Sequence, residues 1–144
     1  MPILYYDMCI IMSEKKDIKS KWIFQVKDYS SIKVNLGRLT WETKAGNGNI
    51  GSHPEIKDYL DDIKKIIQLP DLVFESTKDN RSKIFYKLNT GRGIFKNKHL
   101  VVVVKYVQEQ NIVGYISTMY LSRSVYTKGK LLWMNNRDSK NILV

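Results

Sequence analysis

Apolar and polar residues alternate in short blocks along most of the chain, and one stretch alone carries a helical stripe. Ile3–Tyr6 and Cys9–Met12 are apolar and β-prone, and the polar run Ser13–Lys21 breaks them. Trp22–Val26 resumes extended character and Lys27–Ser31 has turn composition. Ile32, Val34 and Leu36 then alternate with polar residues as in a half-buried strand. Lys44–Ser52 (KAGNGNIGS), with three Gly and two Asn, reads as a loop where backbone approaches something closely or moves. It has no GK[ST] ending, which excludes Walker-type phosphate binding.

The helical stripe follows. Ile56, Leu60, Ile63, Ile66 and Ile67 fall on one face of a helix predicted over Ser52–Gln68. Ser52 and Glu55 have the spacing of a capping box, Pro54 suits the first turn and Pro70 stops the helix. Asp58, Asp61, Asp62, Lys64 and Lys65 on the opposite face read as a solvated surface. Beyond Pro70 the pattern is β. Strands are predicted over Asp71–Ser76, Lys83–Leu88, Leu100–Val107 and Ile112–Leu121, the second and third joined by the basic glycine loop Asn89–Lys98. Short connections imply an antiparallel meander. The expected fold is α+β: a helix packed on a four-stranded antiparallel sheet, with an N-terminal β extension.

Composition narrows the class. At 144 residues the chain suits a single domain with its own core, and 43% hydrophobic against 26% charged residues marks it as globular. The lone Cys9 forms no internal disulfide, and no Cys/His cluster suggests zinc. No apolar run approaches the ~18 residues of a membrane span. The start MPILYYDMCIIM lacks a basic leader and a small-residue cleavage site, so a cytoplasmic protein is expected.

Charge changes the picture more. The net charge is +10, unevenly placed. Residues 1–52 carry 8 basic and 5 acidic side chains, residues 53–79 carry 4 and 7, and residues 80–144 carry 12 and 2. An excess confined to one block points to a polyanionic ligand, nucleic acid above all.

Several residues are candidates for chemistry. His53, at the helix N-terminus, sits where the macrodipole favours a neutral imidazole, suited to general base work; its alternative is a capping or packing role. Lys105 interrupts an apolar strand on the face of Val101 and Val103, where it needs an anion or snorkels out at the strand end. Strict alternation puts Ile116, Thr118 and Tyr120 on one face of the last strand and Tyr115, Ser117 and Met119 on the other. Arg81, Arg92, Lys98 and His99 are candidates for phosphate or base contacts, or else surface charge. No metal site and no cofactor is expected.

A set of short motifs occurs in a recognisable order. These are His53-Pro54-Glu55, Ile67 with Pro70-Asp71, Phe85-Tyr86, the VVVVK run ending at Lys105, Thr118-x-Tyr120, and KGKLLW at Lys128–Trp133. Together they resemble the phage-borne branch of the barnase–EndoU–colicin–RelE ribonuclease superfamily, over residues 40–134. The resemblance implies helices followed by a four-stranded antiparallel sheet with RNA bound across it. It further implies metal-independent cleavage by 2′-hydroxyl attack to a 2′,3′-cyclic phosphate. His53 would be the acid/base residue, Lys105 the stabiliser of phosphorane charge, and Thr118 and Tyr120 the phosphate-positioning hydroxyls. Relatives often carry a second histidine upstream of the HPE segment; here that role falls to Glu42 or Tyr120, or activity is low.

The resemblance divides the single domain 1–144 into a β-rich extension (1–39), a nuclease-like core (40–134) and a tail (135–144). Expected partners are RNA, with tRNA among the candidate targets, and an acidic inhibitor or antitoxin if the protein is a toxin; no membrane is expected. The competing functions are a non-catalytic RNA-binding module and an interaction domain for an acidic partner.

Overall fold

Chain segments far apart in sequence meet in one sheet. The structure, a computed structural model, describes residues 20–46 and 51–135. The predicted strands before Ser13, Cys9, the middle of the glycine-rich loop and nearly all of the C-terminal tail lie outside the described residues.

Strands β1 (Trp22–Lys27) and β2 (Lys33–Gly37) form an antiparallel hairpin. Its turn is built by the Asp28 carboxylate, whose Oδ1 accepts the backbone N–H groups of Ser30 and Ile32 at 2.8 and 2.9 Å. This side-chain mimicry of a backbone turn is why Asp is favoured at such a position.

Helix α1 (Arg38–Ala45) comes next, and no periodicity predicts it. Only Ala45 is fully buried and Trp41 packs at its margin, while Leu39 is 77% exposed, so the segment carries no continuous stripe. The predicted helix over Ser52–Gln68 forms in two parts. Pro54–Tyr59 is a 3-10 helix, and α2 (Leu60–Gln68) continues it. Pro54 biases His53 away from helical backbone, and His53 takes the N-cap position with no side-chain cap bond. The expected Ser52–Glu55 box is therefore replaced by a contact between Glu55 Oε2 and His53 Nδ1 at 3.5 Å.

The four predicted strands form as an antiparallel meander: β3 (Leu72–Glu75), β4 (Ser82–Lys87), β5 (His99–Gln108) and β6 (Ile112–Ser122). The α+β class holds, but among the described residues the sheet has seven strands rather than four, in the order β1-β2-β6-β5-β4-β3-β7. The correction has a physical source at each edge. On one side β2 pairs with β6 in parallel, Val34 opposite Gly114. A Cβ at Gly114 would lie 2.9 Å from Val34 Cγ2 and 2.8 Å from Val104 Cγ1, so glycine makes room for this approach. On the other side β7 (Leu131–Met134), the KLLW segment, adds to β3.

One further expectation changes. Between Val103 and Val104 the register of β5 on β6 shifts, leaving Ser117 as the extra residue of a bulge. The bulge inverts the alternation: Ile116 turns into the core with Met119 and Leu121, while Tyr115 joins Thr118 and Tyr120 on the other face.

The helices cover one face of the sheet. Ile56, Ile63, Ile66 and Ile67 pack there on Leu100, Val102, Val104 and Met119, all fully buried. Truncating such a residue to Ala costs about 2–5 kcal/mol. The Pro70-Asp71 pair fastens the helix exit to the sheet, since Asp71 Oδ2 accepts the Leu88 N–H at 2.8 Å and Oδ1 meets Lys87 Nζ at 3.3 Å.

Candidate functional site

The opposite face of the sheet is where the candidate residues gather. It is only partly open. After β6, residues 123–130 cross it from the β6 end to β7 as a strap: Val125 packs on the small cluster of Leu72, Phe74, Tyr86 and Val101, and the Tyr126 N–H donates to Tyr86 Oη at 3.0 Å. The strap is seated at Gly129, where a Cβ would stand 1.9 Å from the Glu75 carbonyl oxygen. Between strap and sheet runs a cleft of about 540 Å3, floored by Ile84 and Val103 and walled largely by Ser, Thr and Tyr hydroxyls.

His53 reaches this face around the free part of the β6 edge. Its ring centroid is 5.4 Å from that of Tyr120, tilted by 36°. The backbone holds it in place, because the His53 N–H donates to the Lys44 carbonyl at 2.6 Å. Glu55 flanks Nδ1, and the side chain remains 36% exposed. Thr118 lies two residues from Tyr120 on the same face, at the cleft. Burial raises the Tyr120 phenol above its ordinary pKa, so it stays neutral and acts as a hydrogen-bond donor. Glu42 lies on α1, which packs beside the 3-10 helix that His53 caps.

Lys105 lies elsewhere on the face. It pairs in register with Tyr115 and Ser82, four positions along β5 from Val101, the residue opposite Tyr120. That separation is about 13 Å at ~3.3 Å per residue. The anion it needs is supplied by the protein: Nζ is 3.7 Å from Asp79 Oδ2. Asp79 also accepts the Arg81 N–H at 3.1 Å and the Ser82 hydroxyl at 3.0 Å, and these bonds, with the nearby cations, hold its carboxyl below the usual range. The Arg81 side chain is exposed, its Nε 3.8 Å from the same carboxylate.

The remaining candidates lie in the glycine loop or, for His99, at its junction with β5. Arg92 is committed to the helix layer, donating to Asp62 at 3.0 Å and to the Asp58 carbonyl at 2.8 Å while lying over the Tyr59 ring. His99 Nδ1 accepts the Asn89 N–H at 3.0 Å, and burial lowers its pKa. Lys98 lies over the Phe95 ring. His99 pairs with Ser122, two pairs beyond Tyr120, so this loop borders the His53 end of the face.

The structure thus brings together His53 and Tyr120 and sets them apart from Lys105 and Arg81, with Thr118 midway along the register between Tyr120 and Lys105. The cleft residues Tyr86, Ser122, Ser124 and Tyr126 escape sequence reasoning, since only the strap's path makes them neighbours. Among the described residues no group of three or more His, Cys, Asp or Glu side chains is placed to hold a metal ion, and no helix is long and apolar enough to cross a membrane. Compared with known proteins, the chain matches no family model, no curated protein and no solved structure.

Proposed function

We propose that this protein is a metal-independent endoribonuclease whose reacting centre is His53 with Tyr120 and Thr118. The observation that carries the reading is the ring contact of His53 with Tyr120, at 5.4 Å, beside a ligand-sized cleft on a basic chain. Imidazole and a neutral phenol are a sufficient acid–base pair for cleavage by an internal nucleophile. His53 takes the proton of the RNA 2′-hydroxyl as its oxygen attacks phosphorus. The bond to the 5′-oxygen breaks as Tyr120 delivers a proton to that oxygen, and solvent then carries the proton held by His53 back to the Tyr120 phenolate. Thr118 donates to a phosphate oxygen. Positioning and fixed donors supply the remaining stabilisation. Lys105, set apart along the face, meets a neighbouring phosphate rather than the reacting one.

The test is cleavage of total RNA in excess EDTA. His53→Ala is expected to lower the rate at least ~100-fold, the lower end of general acid–base contributions, and Tyr120→Phe to lower it while retaining RNA binding. Equal rates in wild type and His53→Ala refute the assignment. One observation favours a non-catalytic RNA-binding module instead: Lys105 is already paired with Asp79. That alternative predicts salt-dependent RNA binding with no cleavage in any variant.

A further inference from the structure

Beyond the Thr118–Tyr120 wall that faces His53, the cleft beneath the strap has the wrong chemistry for a phosphate. A phosphate site needs excess positive charge or converging N–H donors. Here the charged lining residues are Lys78 and Asp79 at one end, and Asp79 is already tied to Ser82, Arg81 and Lys105. The rest is neutral. Ile84 and Val103 form an apolar floor, and three tyrosines (Tyr86, Tyr120 and Tyr126) contribute rings.

The hydroxyls are available. Among the described residues, those of Thr77, Thr118, Tyr120, Ser124 and Tyr126 meet no hydrogen-bond partner. The Tyr86 phenol accepts the Tyr126 N–H and keeps its own proton to donate. An uncharged, partly apolar cleft with unengaged donors and acceptors on its walls suits a planar heterocycle bearing polar edges and a hydroxylated sugar. Its volume of about 540 Å3 is in the ~300–1,000 Å3 range of small-ligand sites. Its Tyr120 end is where His53 stands.

We propose that this cleft is a nucleoside subsite, holding the base and ribose adjacent to the phosphate that His53 and Tyr120 address. The inference rests on the ribonuclease reading for its orientation, and recognition of an unstacked base by tyrosine rings and hydroxyls is a common mode for single-stranded RNA. It makes the substrate a single-stranded or locally opened RNA, because a paired base cannot enter between strap and sheet.

The experiment is a titration of the intact protein with uridine, cytidine, adenosine and guanosine, and separately with inorganic phosphate, followed by NMR of the tyrosine rings. At least one nucleoside is expected to saturate the site and shift the Tyr86, Tyr120 and Tyr126 signals. Val103→Phe, which fills the floor, and Tyr126→Ala, which removes a half-exposed ring, are each expected to weaken that binding about tenfold, the order of one lost stacking contact. Leu69→Ala, at an exposed position on the helix side and outside the cleft lining, serves as the control and should bind as wild type. The proposal is overturned if no nucleoside saturates, if both variants bind as wild type, or if inorganic phosphate displaces the nucleoside. Cleavage without nucleoside binding leaves the nuclease reading and removes the subsite; nucleoside binding without cleavage does the reverse.

Discussion

The two ends of the strap-bearing face handle polar groups in opposite ways. At the Lys105 end they neutralise one another: Lys105 with Asp79, Asp79 with Ser82 and the Arg81 backbone, and the Tyr115 hydroxyl with Glu109 at 2.5 Å. At the other end, about 13 Å away by strand register, Tyr120 presents a free hydroxyl beside a half-exposed imidazole, and Thr118, midway along the register, presents another. Net charge therefore does not locate chemistry. The most conspicuous lysine of the sheet is engaged internally, and the groups proposed to react sit where, among the described residues, the His53–Glu55 contact is the ion pair formed.

Kinetics can break this comparison most sharply. His53→Ala should reduce kcat at least ~100-fold, whereas Lys105→Ala should act mainly on KM and lower the magnitude of the salt slope of RNA binding by about one. Equal losses of kcat in both variants would place the two groups in one reacting centre, against the geometry.

A second prediction concerns what braces the Lys105 end from beneath. The Tyr106 hydroxyl donates to buried Asp28 Oδ2 at 2.6 Å, tying the first hairpin to β5, and burial drives the phenol pKa upward. Tyr106→Phe leaves that carboxylate oxygen short of a donor and should cost about 1–3 kcal/mol in denaturant unfolding, with the rate at the His53 end unchanged.

Asp79→Asn probes the pairing itself. Removing the carboxylate frees Lys105 and Arg81, so RNA binding at low salt should tighten while kcat stays as it was. Unchanged or weaker binding would mean that the pair is purely structural.

The smallest effect is on pH dependence. Burial depresses the folded-state pKa of His99 below 6.5, so the unfolded chain takes up its proton first as pH falls. The stability contributed by neutral His99 is complete above pH 6.5 and is lost as pH drops through the folded-state value. Thermal unfolding at pH 7.5 and pH 5 should show a smaller difference in His99→Gln than in wild type.

Much of the fold was legible from local pattern. The Ile56–Ile63–Ile66–Ile67 stripe reflects burial on one side of a helix, and the apolar runs of β3 to β6 are set off by polar turns, both of which the pattern reports directly. What escaped is long-range or local in a way composition does not mark. The parallel pairing of β2 with β6 and the placing of β7 beside β3 join segments distant in the chain. The bulge at Ser117 inserts one residue without altering composition, yet it decides which tyrosines share a face with Thr118. Helix α1 buries too little to leave a stripe. For the site, His53, Thr118 and Tyr120 were singled out by residue type and position. The partner of Lys105 was not, because Asp79 sits in a turn whose approach to β5 depends on the β4–β5 register.

The central claim, RNA cleavage by His53 and Tyr120 without a metal, is tested most directly by the chemistry of the ends. Purified protein is incubated with total RNA in excess EDTA, and the new termini are mapped. The account predicts 2′,3′-cyclic phosphates paired with 5′-hydroxyls in wild type and none in His53→Ala. RNA left intact, or fragments ending in 3′-hydroxyls and 5′-phosphates, would contradict it.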